Sequence, residues 1–83
     1  MEVALTPDAA AELEALNEPI HARVLRILER LRHWPQVSGA KSLMGKLAGH
    51  VRIRTGDYRV QFRVEGQTVI VERIGHRDGF YDE

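Results

Sequence analysis

The sequence predicts an α+β fold, in which an N-terminal strand and a two-helix hairpin precede a three-stranded antiparallel meander that completes a four-stranded sheet. Apolar residues recur at helical spacing before residue 33, and they alternate with polar residues at strand spacing after residue 50. Turn signals at Gly56-Asp57 and Glu65-Gly66 divide the second part into three strands. At 83 residues the chain suffices for one small domain, and we expect residues 1–83 to fold as one unit.

The first strand and first helix are predicted from residues 2–17. Glu2–Leu5 alternates like a short strand, and Thr6-Pro7-Asp8 combines a hydroxyl N-cap, a proline at the first helical position and an acidic first turn. The helix is expected to end near Asn17, because Pro19 disfavours helical geometry in the residue before it.

A second helix is predicted from Pro19 to about His33, where Pro35 ends it. Its apolar residues fall on one stripe, at Ile20, Val24, Ile27, Leu28 and Leu31. Residues 36–49 are predicted to form a loop, with Leu43, Met44 and Leu47 packed on the core. Trp34 is interpreted as a core residue or an anchor for a protein partner.

The two predicted turns fix the pairing of the last three strands. A turn at Gly56-Asp57 pairs Arg54 with Arg59, and a turn at Glu65-Gly66 pairs Phe62 with Val69 and Val60 with Val71. This register gives one apolar face and one basic face, with Glu72 in the row of Arg54 and Arg59. Two like charges directly opposite destabilise a strand pair, so either Glu72 neutralises them or the site takes an anion.

Charge is unevenly distributed along a chain whose formal net charge is zero. Residues 1–40 carry a net charge of −2, whereas residues 41–77 carry +5. The chain has no cysteine, which excludes disulfides and thiolate metal sites, and no histidine cluster has metal-ligand spacing. It lacks an apolar run of about 20 residues and a signal peptide, so we expect a cytoplasmic protein with no membrane association, metal or cofactor.

A set of motifs in the second half resembles the RelE/ParE superfamily of toxins from type II toxin-antitoxin systems. The motifs are Lys41-Ser42-Leu43 with the following glycines, Gly56-Asp57-Tyr58-Arg59, Gly75-His76-Arg77 and Tyr81. The resemblance implies a RelE-like, microbial-RNase-like fold and a cognate antitoxin as partner. For the RelE-like branch it also implies cleavage of mRNA in the ribosomal A site, whereas ParE-like relatives inhibit DNA gyrase.

The same resemblance implies roles for individual residues. Arg52 and Arg54 match paired basic positions, Arg59 matches the arginine that holds the scissile phosphate, and Arg77 and Tyr81 match the C-terminal arginine and tyrosine. The spacing from Arg77 to Tyr81 is shorter than is usual in the family.

Chemical reasoning adds further residues to the predicted site. Arginine is always protonated and cannot act as a general base, so His76 is predicted as catalytic, with His50 or a water as alternatives for the base. The basic pattern also predicts RNA contacts, at Lys41, Lys46, His50 and Arg63. Arg63 and Arg73 have the more ordinary interpretation of solvated strand charges.

The leading hypothesis is a ribosome-dependent mRNA endoribonuclease. It would inhibit translation by metal-independent attack of a 2′-hydroxyl on the adjacent phosphate, with mRNA and an antitoxin as partners and no small-molecule cofactor. Two alternatives stay open, namely a non-enzymatic ParE-like inhibitor of DNA gyrase and an inactive relative that only binds its antitoxin.

Overall fold

The computed structural model describes residues 1–80 and contains a sheet with two helices against one of its faces. The helices are α1 (Pro7–Glu14) and α2 (Ile20–Leu31). The strands are β1 (Glu2–Leu5), β2 (Lys41–Ser42), β3 (Val51–Thr55), β4 (Tyr58–Glu65) and β5 (Thr68–His76). Two short 3₁₀ turns cover Gly45–Leu47 and Arg77–Gly79.

The start of α1 follows the predicted capping pattern, because the Thr6 side chain accepts a hydrogen bond from the Ala9 backbone N–H at 3.1 Å. Both helices are slightly shorter than predicted, since their last residues form tighter turns. The Leu16 N–H donates to Leu13 O at 3.2 Å, and the His33 N–H donates to Arg30 O at 3.0 Å, both in the 3₁₀ pattern. The predicted order of strand, helix and helix is confirmed.

The sheet has five strands in the order β1-β5-β4-β3-β2, so the predicted count of four is wrong. The additional strand is β2, which pairs antiparallel with β3 through Lys41 opposite Arg52 and Ser42 opposite Val51. Both residues of β2 are exposed, and a strand of two residues has no alternation that a sequence pattern could reveal. β1 lies at the other edge and runs parallel to β5.

The register of β3 and β4 is confirmed, with Arg54 opposite Arg59, but the predicted register of β4 and β5 is wrong. The turn lies one residue later than predicted, at Gly66-Gln67, because Glu65 pairs with Thr68. Phe62 therefore pairs with Val71 instead of Val69. Gly66 has φ of +58°, a conformation that suits the first position of a hairpin turn and favours glycine.

A β-bulge interrupts β5 at Glu72. Phe62 pairs with Val71, but Gln61 pairs with Arg73, which leaves Glu72 as an extra residue in β5. The predicted pairing of Val60 with Val71 is consequently also wrong, since Val60 pairs with Ile74. The bulge is tied to α1, because the Ile74 N–H donates to the Glu12 carboxylate at 2.8 Å.

The core lies between the helices and the apolar face of the sheet. The predicted apolar face is confirmed, since its residues are all buried, at Val51, Ile53, Val60, Phe62, Val69 and Val71. Trp34 packs on this core with its ring edge-on to Phe62 at a centroid distance of 5.2 Å. Met44 was expected to pack on the core but is 87% exposed, because it precedes a 3₁₀ turn that contributes no buried residue. In residues 1–80, neither helix has the length and apolar content to cross a bilayer.

Candidate functional site

The face of the sheet opposite the helices carries most of the charged strand residues, and we call it the basic face. Alternation along β3 and β4 places Arg52, Arg54, Arg59, Gln61 and Arg63 there. Two of these arginines are nearly inaccessible, since Arg52 is 4% exposed and Arg59 is 7% exposed. Charged side chains are rarely buried to this extent, so their position points to a specific role.

A cavity of about 300 Å³ lies beside β3, and we call it the sheet-face cavity. Its lining residues are Gly39, Lys41, Leu43, Arg52, Ile53, Arg54 and Arg59. Four of them are cationic, and they come from β2, β3 and β4. The structure thus brings together the predicted residues Arg52, Arg54 and Arg59 with the predicted RNA contact Lys41.

The two opposed arginines in this cavity differ in how firmly they are held. Arg59 donates from one guanidinium nitrogen to Gly56 O at 3.1 Å and to Tyr58 O at 3.4 Å, which anchors it to the β3–β4 turn. Arg54, directly opposite, is exposed. The site therefore combines an anchored, buried cation with an exposed one, and this arrangement suits an anion that arrives from solvent.

Phe80 lies on the basic face between two arginines. The guanidinium carbon of Arg52 is 4.9 Å from the centre of its ring and that of Arg73 is 4.1 Å away. The Arg52 Nε also donates to the Gln61 side chain at 3.1 Å. Arg73 is half-buried, and it donates to Gly79 O as well as lying over the Phe80 ring, so it contacts the tail and keeps part of its surface in solvent. The only sequence signal for this contact is an apolar residue in a polar tail.

Glu72 sits on the basic face among three partners, and not in the row of Arg54 and Arg59 as predicted. Its carboxylate contacts His50 Nδ1, accepts from Gln61 at 3.3 Å and accepts from Arg63 at 3.0 Å. Burial raises the pKa of Glu72, but the hydrogen bonds from His50, Gln61 and Arg63 and the attraction to His50 outweigh burial, so the net pKa lies below its usual value. The later turn explains most of the error, because it moves the residue opposite Glu72 from Arg59 to Gln61, and the bulge then leaves Glu72 without a direct partner between Phe62 and Gln61.

His76 and Arg77 lie apart from the sheet-face cavity. His76 pairs with Tyr58, the neighbour of Arg59, so alternation puts it on the opposite side of the sheet, where its ring meets the Tyr58 ring edge-on at 5.3 Å. Arg77 is exposed, and its backbone N–H donates to Asp57 O at 2.7 Å. Tyr81 lies outside the described residues.

The remaining predicted RNA contacts are distributed around the basic face. His50 and Arg63 both belong to the Glu72 cluster, whereas Lys46 is exposed on the 3₁₀ turn and does not line the cavity. Strand geometry separates the backbone of His50 from that of Arg54 by roughly 13 Å. The basic face therefore holds two groups, one at the cavity and one around Glu72, and the hydrogen bonds of Gln61 to Arg52 and Glu72 connect them.

The cavity can bind a phosphate and stabilise additional negative charge on it. Guanidinium groups bind phosphate oxygens in bidentate geometry, and preorganised cations lower the free energy of a developing oxyanion. Among residues 1–80, no group of three or more histidine, aspartate or glutamate side chains could hold a metal ion. Neither His50 nor His76 lines the cavity, so the chemistry available within it is charge stabilisation.

Comparison with known proteins links this fold to toxins. Residues 3–79 match the family model of the ParE toxin of type II toxin-antitoxin systems, parDE. The chain is 29% identical over 85 residues to Toxin RelE3 of Methanocaldococcus jannaschii, a match that covers 99% of this chain and 97% of that protein.

Solved structures give the same result. The toxin-antitoxin complex RelBE2 of Mycobacterium tuberculosis contains a chain that is 32% identical with a TM-score of 0.79, over 92% of this chain and 96% of that chain. The RelB-RelE antitoxin-toxin complex of Methanococcus jannaschii matches at 25% identity with a TM-score of 0.76, over 95% of both chains. The α+β fold is therefore the one found in these toxins.

Proposed function

Because the chain belongs to the RelE/ParE superfamily of toxins from type II toxin-antitoxin systems, we propose that it is a ribosome-dependent mRNA endoribonuclease. The observation that carries this proposal is the sheet-face cavity, where Lys41, Arg52, Arg54 and Arg59 converge on a space suited to a phosphate. A cognate antitoxin is its proposed partner, in line with the complexes formed by the related toxins.

The proposed reaction needs no group other than the RNA, water and the arginines. The ribose 2′-oxygen attacks the adjacent phosphorus, the bond from phosphorus to the 5′-oxygen breaks, and the products carry a 2′,3′-cyclic phosphate and a 5′-hydroxyl. Arg59, held at Gly56 O, and Arg52 stabilise the charge that builds on the phosphoryl oxygens. Water accepts the 2′-hydroxyl proton and water protonates the leaving oxygen, since no imidazole lines the cavity.

The test is cleavage in a translation extract, with mRNA ends mapped by primer extension. Arg59→Gln should lower the cleavage rate by about 100-fold or more, as expected for loss of one donor to an oxyanion. His50→Gln and His76→Gln should each retain activity within about tenfold, because general base catalysis contributes about 100-fold or more where it operates. Intact mRNA at concentrations of wild-type protein that stop translation in the extract would contradict the proposal.

A second candidate is inhibition of DNA gyrase, which the ParE description of the matching family model favours. In that case the basic face would bind its target without chemistry. Purified gyrase and supercoiled plasmid discriminate between the two, because a gyrase inhibitor would accumulate cleaved gyrase–DNA complexes while mRNA in the translation extract stays intact.

A further inference from the structure

A second cluster of arginines lies on the outer surface of α2, away from the basic face. Arg23, Arg26 and Arg30 follow one another at three- and four-residue spacing, so they form one stripe along the helix. Together with Arg54 and Thr55 at the end of β3, and with Ile27, they line a cavity of about 330 Å³. We call this stripe the arginine face of α2.

No carboxylate in the described part of the chain neutralises the charges of this face. Within residues 1–80, Arg23, Arg26 and Arg54 form no ion pair, and Arg30 donates to the Ser38 backbone and hydroxyl oxygens. The chain has as many acidic as basic residues, twelve of each, so the lack of a carboxylate beside these arginines does not follow from the overall composition. Clustered cations without a partner oppose folding and are expected where an anion binds.

The arginine face is continuous with the sheet-face cavity at the β3–β4 turn. Arg54 lines both cavities. On one side of the turn Arg59 donates to Gly56 O, and on the other side an Arg23 guanidinium nitrogen lies 3.9 Å from the position of a Cβ built on Gly56. A chain of phosphates that leaves the sheet-face cavity over this turn therefore reaches α2 directly.

The residues that line the second cavity favour a chain of phosphodiester groups as ligand over a protein. Its single apolar lining residue, Ile27, is 3% exposed, so it offers no contact for the apolar anchors by which peptides dock on helices. Guanidinium groups suit phosphate oxygens, since their planar donors bind two oxygens at once.

We propose that the arginine face of α2 is a second binding site for the RNA phosphodiester backbone, and that it holds the nucleotides that flank those in the sheet-face cavity. The choice of RNA as ligand rests on the proposed function. The flanking nucleotides of the mRNA and the ribosomal RNA both present phosphodiester groups to these arginines. The experiment determines which of the two RNAs binds here.

The test measures binding of fluorescein-labelled single-stranded RNA by anisotropy over a range of KCl concentrations. The variant Arg23→Gln/Arg26→Gln should reduce the slope of log K against log[KCl] by about 1.4 for a 20-nucleotide RNA, since each phosphate contact on a single strand contributes about 0.7. A dinucleotide, whose single phosphodiester cannot occupy both cavities at once, should show a smaller change in slope between the two proteins than the 20-nucleotide RNA. The control Arg32→Gln removes an arginine just after α2 that already pairs with Glu29 at 2.8 Å, and it should leave both slopes unchanged.

Co-sedimentation with 30S ribosomal subunits separates the two sources of RNA. Loss of sedimentation in the double variant, with an unchanged slope for the 20-nucleotide RNA, would support a site on α2 for ribosomal RNA but overturn the flanking-nucleotide assignment. Unchanged slopes and unchanged sedimentation would overturn the proposal altogether. Weaker binding of poly-L-glutamate by the double variant, with no change in RNA binding, would also overturn it and would assign the face to an acidic protein.

The outcome is separable from that of the proposed function, because the binding assay requires no cleavage. If the salt slope falls as expected while mRNA stays intact, the nuclease proposal fails and the RNA site on α2 stands. If mRNA is cleaved and the slope does not change, the nuclease proposal stands and the RNA site on α2 fails. Circular dichroism of the double variant confirms that any loss of binding is not a loss of fold.

Discussion

Replacing Arg54 by glutamine should stabilise the free protein while weakening its affinity for phosphate. Arg54 and Arg59 are direct partners across β3 and β4, and Arg59 is fixed by its bonds to Gly56 O and Tyr58 O. Side chains in such a pair start about 5 Å apart, where two like charges in water repel by roughly 0.8 kcal/mol before screening by salt. Arg54 is exposed, so its removal costs little packing.

The expected gain is about 0.5 kcal/mol, or roughly 2–4 °C in Tm for a domain of this size. Urea unfolding in NaCl measures it, and Arg54→Lys is the matched control, because it keeps the charge and should stay close to wild type. Added inorganic phosphate should then stabilise the wild-type protein, by about 1.4 kcal/mol at ten times its Kd, and should stabilise Arg54→Gln less.

Two results would refute this reasoning. If Arg54→Gln were less stable than the wild type in NaCl, the opposed arginines would not be a source of strain. If phosphate stabilised Arg54→Gln as much as the wild type at matched ionic strength, the cavity would not use Arg54 to bind anions.

Three further predictions concern the Glu72 cluster, the core and the tail. The lowered pKa of Glu72 stabilises the fold above the ordinary carboxyl pKa, and this contribution is lost as pH falls through the lower folded value, so Glu72→Gln should flatten the acid side of the urea midpoint profile; parallel profiles would contradict this. Phe62→Ala should cost about 3–5 kcal/mol in urea unfolding, with Phe62→Leu markedly milder, and equal losses would exclude a packing origin. Phe80→Ala should uncover Arg52 and speed its modification by phenylglyoxal, read by mass spectrometry, and an unchanged rate would show that the ring is not the cover.

The sequence pattern predicts those parts of the fold that depend on strong periodicity. The α2 stripe, the apolar face of β3 and β4 and the pairing of Arg54 with Arg59 all follow from spacing and one glycine turn. The second hairpin does not, because Gly66 can occupy either position of a two-residue turn and the choice moves the register by two residues.

The candidate site is predictable only where its residues are neighbours on paired strands. The cavity arginines belong to β3 and β4, whose register is local, and they come together as expected. Phe80 on the basic face and Glu72 beside His50 depend on how the tail folds back and on a bulge, and neither leaves a periodic signal. His76 was assigned from its neighbours in the motif, whereas its pairing with Tyr58 decides its side of the sheet.

The bulge in β5 makes Glu72 a spare residue for the architecture of the sheet. If it were removed, Val71 and Ile74 would still point to the core and Arg73 and Gly75 to the other side, because simple alternation already produces that order. The hairpin could thus form without Glu72. The Glu72 carboxylate adds a negative charge to a cationic surface without displacing any residue of the apolar core. Gaining or losing one codon at this place would retune the charge of that surface while the architecture stayed the same.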